Sequence, residues 1–339
     1  MADKPIFVVG TPRSGTTLTA KILGRHPQIF MPGETHYFDD VYSRSEQLGN
    51  VENYGAITKI AERLHTIYMR YYEAEDQKRI KELFPTSTDL RAALHGCVDY
   101  GDVLDRFMGL QMEGTSKSRW GNNAPRDLFS YRDIKNYFPD AKFVVCVRDI
   151  RAFLLSYKGK WKVVTGDVYV NRMKKLYHPV VTSYLWKSSM RQVALLMSEV
   201  PSSDWVIVRY EDLVAEPEKI MRQVCDAIGE EFEHSMLDVD THNSSCTDQE
   251  KGIFATSVNR WLTELTPEEI AIGQYITKKE LSCYGYSNVD VSVKAGRLLW
   301  IWIGAPYGLW NALYANRAVR GPLIPYLARR IGALFRKSY

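Results

Sequence analysis

The chain has 339 residues, enough for one large domain or two smaller ones, and its 45% hydrophobic and 25% charged residues exclude a disordered or fibrous protein. Its five cysteines (Cys97, Cys146, Cys225, Cys246 and Cys283) keep neither a metal-ligand spacing nor a disulfide framework, which points to a reducing compartment. The net charge of +4 is uneven: residues 291–339 hold eight Lys and Arg and no acid, so residues 1–290 carry −4 and offer no basic surplus for nucleic acid.

Ile6-Phe7-Val8-Val9 is an apolar run of strand length, giving a strand over about 5–10. It starts too early for a signal peptide to precede it, so a cytoplasmic location is expected. Gly10-Thr11-Pro12-Arg13-Ser14-Gly15-Thr16-Thr17 follows, and a helix over about 15–25 follows that. A strand, a Gly-bounded loop and a helix N-terminus make a phosphate cradle. The G-x-x-x-x-G spacing is that of a P-loop, but Thr16 stands where a triphosphate-binding loop has Lys. Arg13 supplies the positive charge instead. The cradle therefore suits a phosphorylated nucleotide other than a triphosphate.

Further along, residues 52–72 and 76–115 have helical spacing, and 40–118 form a helical insertion. Residues 129–138 are helical, 142–147 a strand, 149–158 a helix start, 171–199 one long helix, 205–209 a strand and 211–228 a helix. A helix over 267–283 opens with Thr266-Pro267-Glu268-Glu269, where Pro suits the first turn. Alternating strands and helices predict an α/β fold: a P-loop-like parallel sheet flanked by helices, with ligands at the carboxyl ends of the strands. Residues 1–290 form the catalytic domain, and 291–339 form a basic amphipathic aromatic tail. In the tail, the apolar run opening at Leu298-Leu299-Trp300-Ile301-Trp302-Ile303 is broken by Pro306 and Gly308 and is short of a membrane span. Aromatics and Arg without acids suit an anionic membrane surface, at about 1 kcal/mol per basic residue. The alternative is a tail packed on the body or on a second copy.

Two motifs carry a resemblance. Pro12-Arg13-Ser14-Gly15-Thr16-Thr17-Leu18 resembles the 5′-phosphosulfate loop of sulfotransferases that use 3′-phosphoadenosine 5′-phosphosulfate (PAPS). Phe138 to Asp149 resembles their strand leading to the 3′-phosphate site, with Arg148 and Ser156 at the spacing of the phosphate-binding Arg and Ser. Val208 to Leu213 and Thr256 to Trp261 are weaker matches. The resemblance implies transfer of a sulfuryl group from PAPS to an acceptor hydroxyl, with PAP as product and no metal. It implies that Arg13, Ser14, Gly15, Thr16 and Thr17 hold the phosphosulfate, that Arg148 and Ser156 hold the 3′-phosphate, and that Ser257 and Arg260 close over the nucleotide. The residues themselves leave Arg148 open to a structural pairing with Asp149.

Glu34, in the turn Gly33-Glu34-Thr35, is similar in placement to the base of tyrosylprotein sulfotransferases; a positioned base is typically worth about 10²–10⁴-fold. His36 competes, because imidazole is matched to neutral pH. One departure stands out. Asn123 occupies the place of a family Lys that stabilises charge on the leaving phosphate, and Lys117, Arg126 and Lys158 are the candidate substitutes. The acceptor is a small molecule, lipid or glycan hydroxyl, amphipathic or lipid-linked if the tail meets a membrane on its inner face, otherwise a secondary metabolite among others. The competing readings are a P-loop kinase or NTPase and a non-catalytic nucleotide-binding membrane adaptor. The oligomeric state is left open.

Overall fold

The computed structural model describes residues 4–71, 74–163, 167–239 and 258–315, together with 323–324, 327–328 and 331–332. Five strands, β1 (Ile6–Gly10), β2 (Ile29–Phe30), β3 (Arg119–Asn123), β4 (Lys142–Val147) and β5 (Trp205–Arg209), form one parallel sheet in the order β2-β3-β1-β4-β5. The fold is thus the α/β, P-loop-like sheet that the alternation of elements predicts. α1 (Thr16–Gly24) follows β1. Between β2 and β3 come α2 (Ser45–Leu48), α3 (Tyr54–Tyr71), α4 (Ala74–Leu83), α5 (Ser87–Ala93) and α6 (Tyr100–Met112). α7 (Tyr131–Tyr137) precedes β4, and α8 (Ile150–Lys158), α9 (Asp167–Lys174) and α10 (Pro179–Glu199) lead to β5. α11 (Tyr210–Ala215), α12 (Pro217–Ile228), α13 (Trp261–Glu264), α14 (Pro267–Cys283) and α15 (Ala295–Ala315) complete the order.

Both faces of the sheet are covered, which is why β1 and β4 read as unbroken apolar runs. Phe7, Val9, Phe143, Val145 and Val147 point to one face, where α3, α6 and α10 supply Ile60, Phe107 and Trp186. Ile6, Val8, Val144 and Cys146 point to the other, under Ile22 of α1 and Val224 of α12. Thr266 caps α14 through a reciprocal pair of bonds with Glu269, and Pro267 fills the first turn.

Four expectations need correction. The strands β2 and β3 were not foreseen, because β3 reads Arg-Trp-Gly-Asn-Asn and Asn is a poor strand former. All five of its residues are nonetheless buried, and Arg119, Trp120 and Asn122 find side-chain partners in Glu230, Asp105, and Thr35 with Asp127. The helix expected over 171–199 is two, since residues 175–178 leave the helix and Pro179 opens α10. The helix over 211–228 is likewise split before Pro217. Finally, Pro306 and Gly308 do not break the tail's apolar run. α15 is one 21-residue helix through Pro306. Its Leu298, Ile301, Trp302 and Ala305 pack on Val180, Ile272 and Ile276, which holds the helix across the missing proline donor. Gly308 lies against His178 so closely that a Cβ would come within 2.6 Å of the ring.

Candidate active site

The loop after β1 is tied by its own backbone. Ser14 N–H and Oγ donate to Thr11 O at 3.1 and 2.5 Å, and Thr19 donates to Gly15 O from its N–H and its hydroxyl at 2.9 and 3.1 Å. Two glycines are needed here. Gly10 has φ +149° with Cys146 O only 2.2 Å from the place of a Cβ, and Gly15 has φ +91° with the Tyr210 ring at 2.5 Å. Arg13 itself is held at φ 78°, in the left-handed region. Thr16 is buried at the start of α1 and Thr17 is exposed. The first-turn N–H groups of α1 have no intrahelical acceptor and face the loop's concavity.

Parallel pairing of β1 with β4 sets Gly10 against Cys146 and so brings the loop beside Arg148. Arg148 Nη1 donates to Arg13 O at 3.1 Å, and Arg13 Nε donates to Ser156 Oγ at 3.0 Å. Three residues predicted to hold the two anions therefore touch one another. The structural pairing of Arg148 with Asp149 is not made. Asp149 is taken by Arg151, whose guanidinium also stacks on Trp261 at 4.1 Å. Arg148 is instead oriented by the Tyr210 ring, 4.1 Å away, and no described carboxylate forms an ion pair with it. Its Nε is buried without a partner. Burial and the Arg148 charge hold the Arg13 pKa below the usual arginine value. Arg260, which pairs with Glu264, lines one cleft with Arg148 and Ser156. Ser257 lies outside the described residues.

On the other side of the loop, Glu34 Oε2 and His36 Nε2 are 3.3 Å apart, with side chains 35% and 19% exposed. Both candidate bases thus share one spot and both reach solvent. A side-chain network fixes this turn. Thr35 Oγ1 donates to Asn122 Oδ1 at 2.8 Å, and Asn122 Nδ2 donates to Asp127 Oδ2 at 2.8 Å. His36 is left-handed at φ 51°, its Nδ1 is 4.0 Å from Asp39, and Asp39 is paired with Arg126 at 2.9 Å. Burial, then Asp39 and Glu34, push the Asp127 carboxyl well above the usual carboxylate range. Asp127 thus accepts from Asn122 in a buried setting that disfavours its charged form.

Asn123 is buried at the C-terminal end of β3, and its Oδ1 has no partner. The three substitutes considered for it are engaged elsewhere. Lys117 donates to Gly24 O and His26 O, Arg126 pairs with Asp39, and Lys158 pairs with Glu269 at 2.9 Å. A further cation, Lys160, interacts electrostatically with Arg13 and Glu34, and the sequence reading missed it. It opens a short helical turn, Lys160–Val163, directly after α8. It makes no hydrogen bond or ion pair with any described residue; its ammonium sits 5.5 Å from the Tyr157 ring centroid. Burial, then Arg126 and Arg13, lower its pKa to about 8, while Glu34 acts in the opposite sense. Its electrostatic neighbours are thus the loop arginine and the candidate base. The signal was present as the run Lys158-Gly159-Lys160-Trp161-Lys162 just beyond Ser156.

Solved structures share this frame. The sulfotransferase domain of the Synechococcus PCC 7002 olefin synthase superposes with a TM-score of 0.57 at 19% identity, covering 84% of this chain and 96% of that one. The sulfotransferase domain from the curacin biosynthetic pathway gives 0.57 at 20%, over 85% and 99%. The fold is therefore a sulfotransferase fold. The model of the sulfotransferase family matches residues 5–234, and the chain belongs to that family. Among curated relatives, protein-tyrosine sulfotransferase A of Caenorhabditis elegans is 22% identical over 233 residues, 68% of this chain and 51% of that protein. The protein-tyrosine sulfotransferase of Drosophila melanogaster is 22% identical over 260 residues, 75% and 43% respectively. The chain spans about half the length of these relatives.

Proposed function

We propose that the chain transfers the sulfuryl group of PAPS to the hydroxyl of an acceptor, with Glu34 as general base. The observation that carries this is the Arg13–Arg148 contact. Arg148 donates to the Arg13 carbonyl, the two guanidinium charges oppose one another, and Arg148 is buried with an unpartnered Nε and no ion pair to any described carboxylate. Such a pair is costly to fold unless an anion completes it. PAPS brings two anions, a 5′-phosphosulfate for the loop of Arg13 to Thr17 and a 3′-phosphate for Arg148 and Ser156. Ser257 and Arg260 would close over the nucleotide.

In the step itself, the acceptor oxygen forms a bond to sulfur as the bond from sulfur to the bridging oxygen breaks. That electron pair leaves on the 5′-phosphate of PAP, and the acceptor proton passes to the Glu34 carboxylate. His36, 3.3 Å from Glu34, takes the proton onward to solvent. Arg13, the loop N–H groups and Lys160 meet the charge growing on the departing phosphate, so Lys160 does the work that Asn123 cannot. Catalysis of this kind rests on positioning and preorganised charge. The helices of 40–118 and the turn at Glu34 would form the acceptor side, for a small-molecule, lipid or glycan hydroxyl. Thr16 in the lysine position weighs against a kinase or NTPase. A binding-only adaptor would rest on Asn123, and Lys160 answers it.

Calorimetric titration tests the nucleotide class. PAP is expected to bind, ATP with Mg²⁺ to bind far more weakly, and Arg148→Ala to lose at least about tenfold in PAP affinity, the value of a hydrogen bond to a charged group. Labelled PAPS with an acceptor panel then tests transfer. A folded sample that ignores PAP overturns the proposal.

A further inference from the structure

We infer that α15 lies in the headgroup layer of an anionic membrane, inserting Trp300, Ile303, Tyr307, Trp310 and Tyr314. This inference stands independently of the transfer chemistry. These five residues recur at intervals of three and four along the helix and are 54% to 75% exposed. They form one stripe along four turns. Leu299 flanks it, also exposed. The opposite side of the same helix is already used, with Leu298, Ile301, Trp302 and Ala305 packed on α10 and α14. The stripe is therefore an outer face of a docked helix rather than unburied core.

The charge selects the occupant. The segment 291–339 carries eight basic residues and no acid. Of these, Lys294 and Arg297 stand at the start of α15, and the other six lie outside the described residues. A segment of that composition is drawn to anionic lipid and repelled by a like-charged copy. The chemistry of the stripe agrees, since Trp and Tyr are the side chains that settle at membrane–water interfaces. Among the described residues no helix is long and apolar enough to cross a membrane, so the mode is lying on the surface. The end of α15 is also tied toward the candidate site. Arg172 Nε donates to Ala315 O at 2.8 Å, and Arg172 is an electrostatic neighbour of Lys160, itself a neighbour of Glu34.

The test is flotation of the full chain with vesicles of mixed phosphatidylglycerol and phosphatidylcholine, beside vesicles of phosphatidylcholine alone. The chain is expected to float with the mixed vesicles only and to be released by high salt. The triple variant Trp300→Ser, Ile303→Ser, Trp310→Ser should bind at least about tenfold more weakly, as expected from lost apolar insertion. Its melting temperature and PAP affinity should hold, because these side chains face solvent. For the unaltered chain, brominated lipid should quench tryptophan fluorescence, which keeps the inference testable if the variant misfolds. Absence of flotation, flotation unchanged by the triple variant, or a dimer in sedimentation equilibrium that the triple variant dissociates would each overturn it.

Discussion

Around Gly10 to Thr17 the polar groups come from contiguous residues at two neighbouring strand ends, and the β1–β4 register sets their distances. Around Glu34 they are gathered from separate stretches of chain, with Thr35, Asp39, Asn122, Arg126 and Asp127 joined by side-chain bonds. The first arrangement is held by backbone; the second depends on a few buried polar contacts. Nucleotide binding should therefore tolerate changes on the acceptor side, while turnover should not.

The largest effect that would break this division is at Glu34. Glu34→Gln is expected to lower kcat by about 10²–10⁴-fold with PAP affinity unchanged, since a positioned base acts only on the chemical step. Calorimetry beside initial rates checks it. A larger loss in His36→Gln than in Glu34→Gln would move the base to the imidazole.

Lys160 sharpens the comparison because its charge interacts with both Arg13 and Glu34. Lys160→Met is expected to lower kcat by about 10²-fold, the value of one preorganised donor to developing charge. In the unaltered chain the rate should fall as pH rises through about 8, where this ammonium loses its proton. The stability effect has the opposite sense. Its folded pKa lies below the unfolded 10.5, so its charge disfavours folding fully below about pH 8, and the penalty fades toward 10.5. Lys160→Met should accordingly raise the melting temperature more at neutral pH than in strong alkali. A constant pH–rate profile would remove Lys160 from the step.

The smallest effect separates charge from hydrogen bonding at Asp127. Asp127→Asn keeps an oxygen to accept from Asn122 without the buried charge and should stay within about twofold in rate, whereas Asp127→Ala frees Asn122 and should cost about 1–3 kcal/mol of stability. Thermal melts and kcat on the same preparations test this. Equal damage from both variants would show that the carboxyl is needed charged.

The same contrast explains what could be read from the chain. β1, the loop, β4 and the cap of α14 were legible because local pattern and local structure agree there: buried apolar runs, paired glycines, and Thr266-Pro267 with Glu269. β3 was not, since Asn122 and Asn123 have strand-opposing propensity, which for Asn122 is offset by bonds to Thr35 and Asp127. Glu34 and His36 were found singly, but their contact depends on a left-handed His36 that spacing does not predict. Lys160 was lost in a basic run whose direction is set by the turn after α8. In α15 the proline rule failed because His178 and the apolar side of the helix hold it across Pro306.

The paired guanidinium groups of Arg13 and Arg148 have a consequence for how the protein ages. On the proposed function, nucleotide binding at this cluster would stabilise the folded chain. A ligand at a hundredfold its Kd adds about 2.7 kcal/mol to the folded state. Resistance to heat and to proteases should thus track nucleotide supply, and a preparation stripped of nucleotide will be shorter-lived than one purified with it.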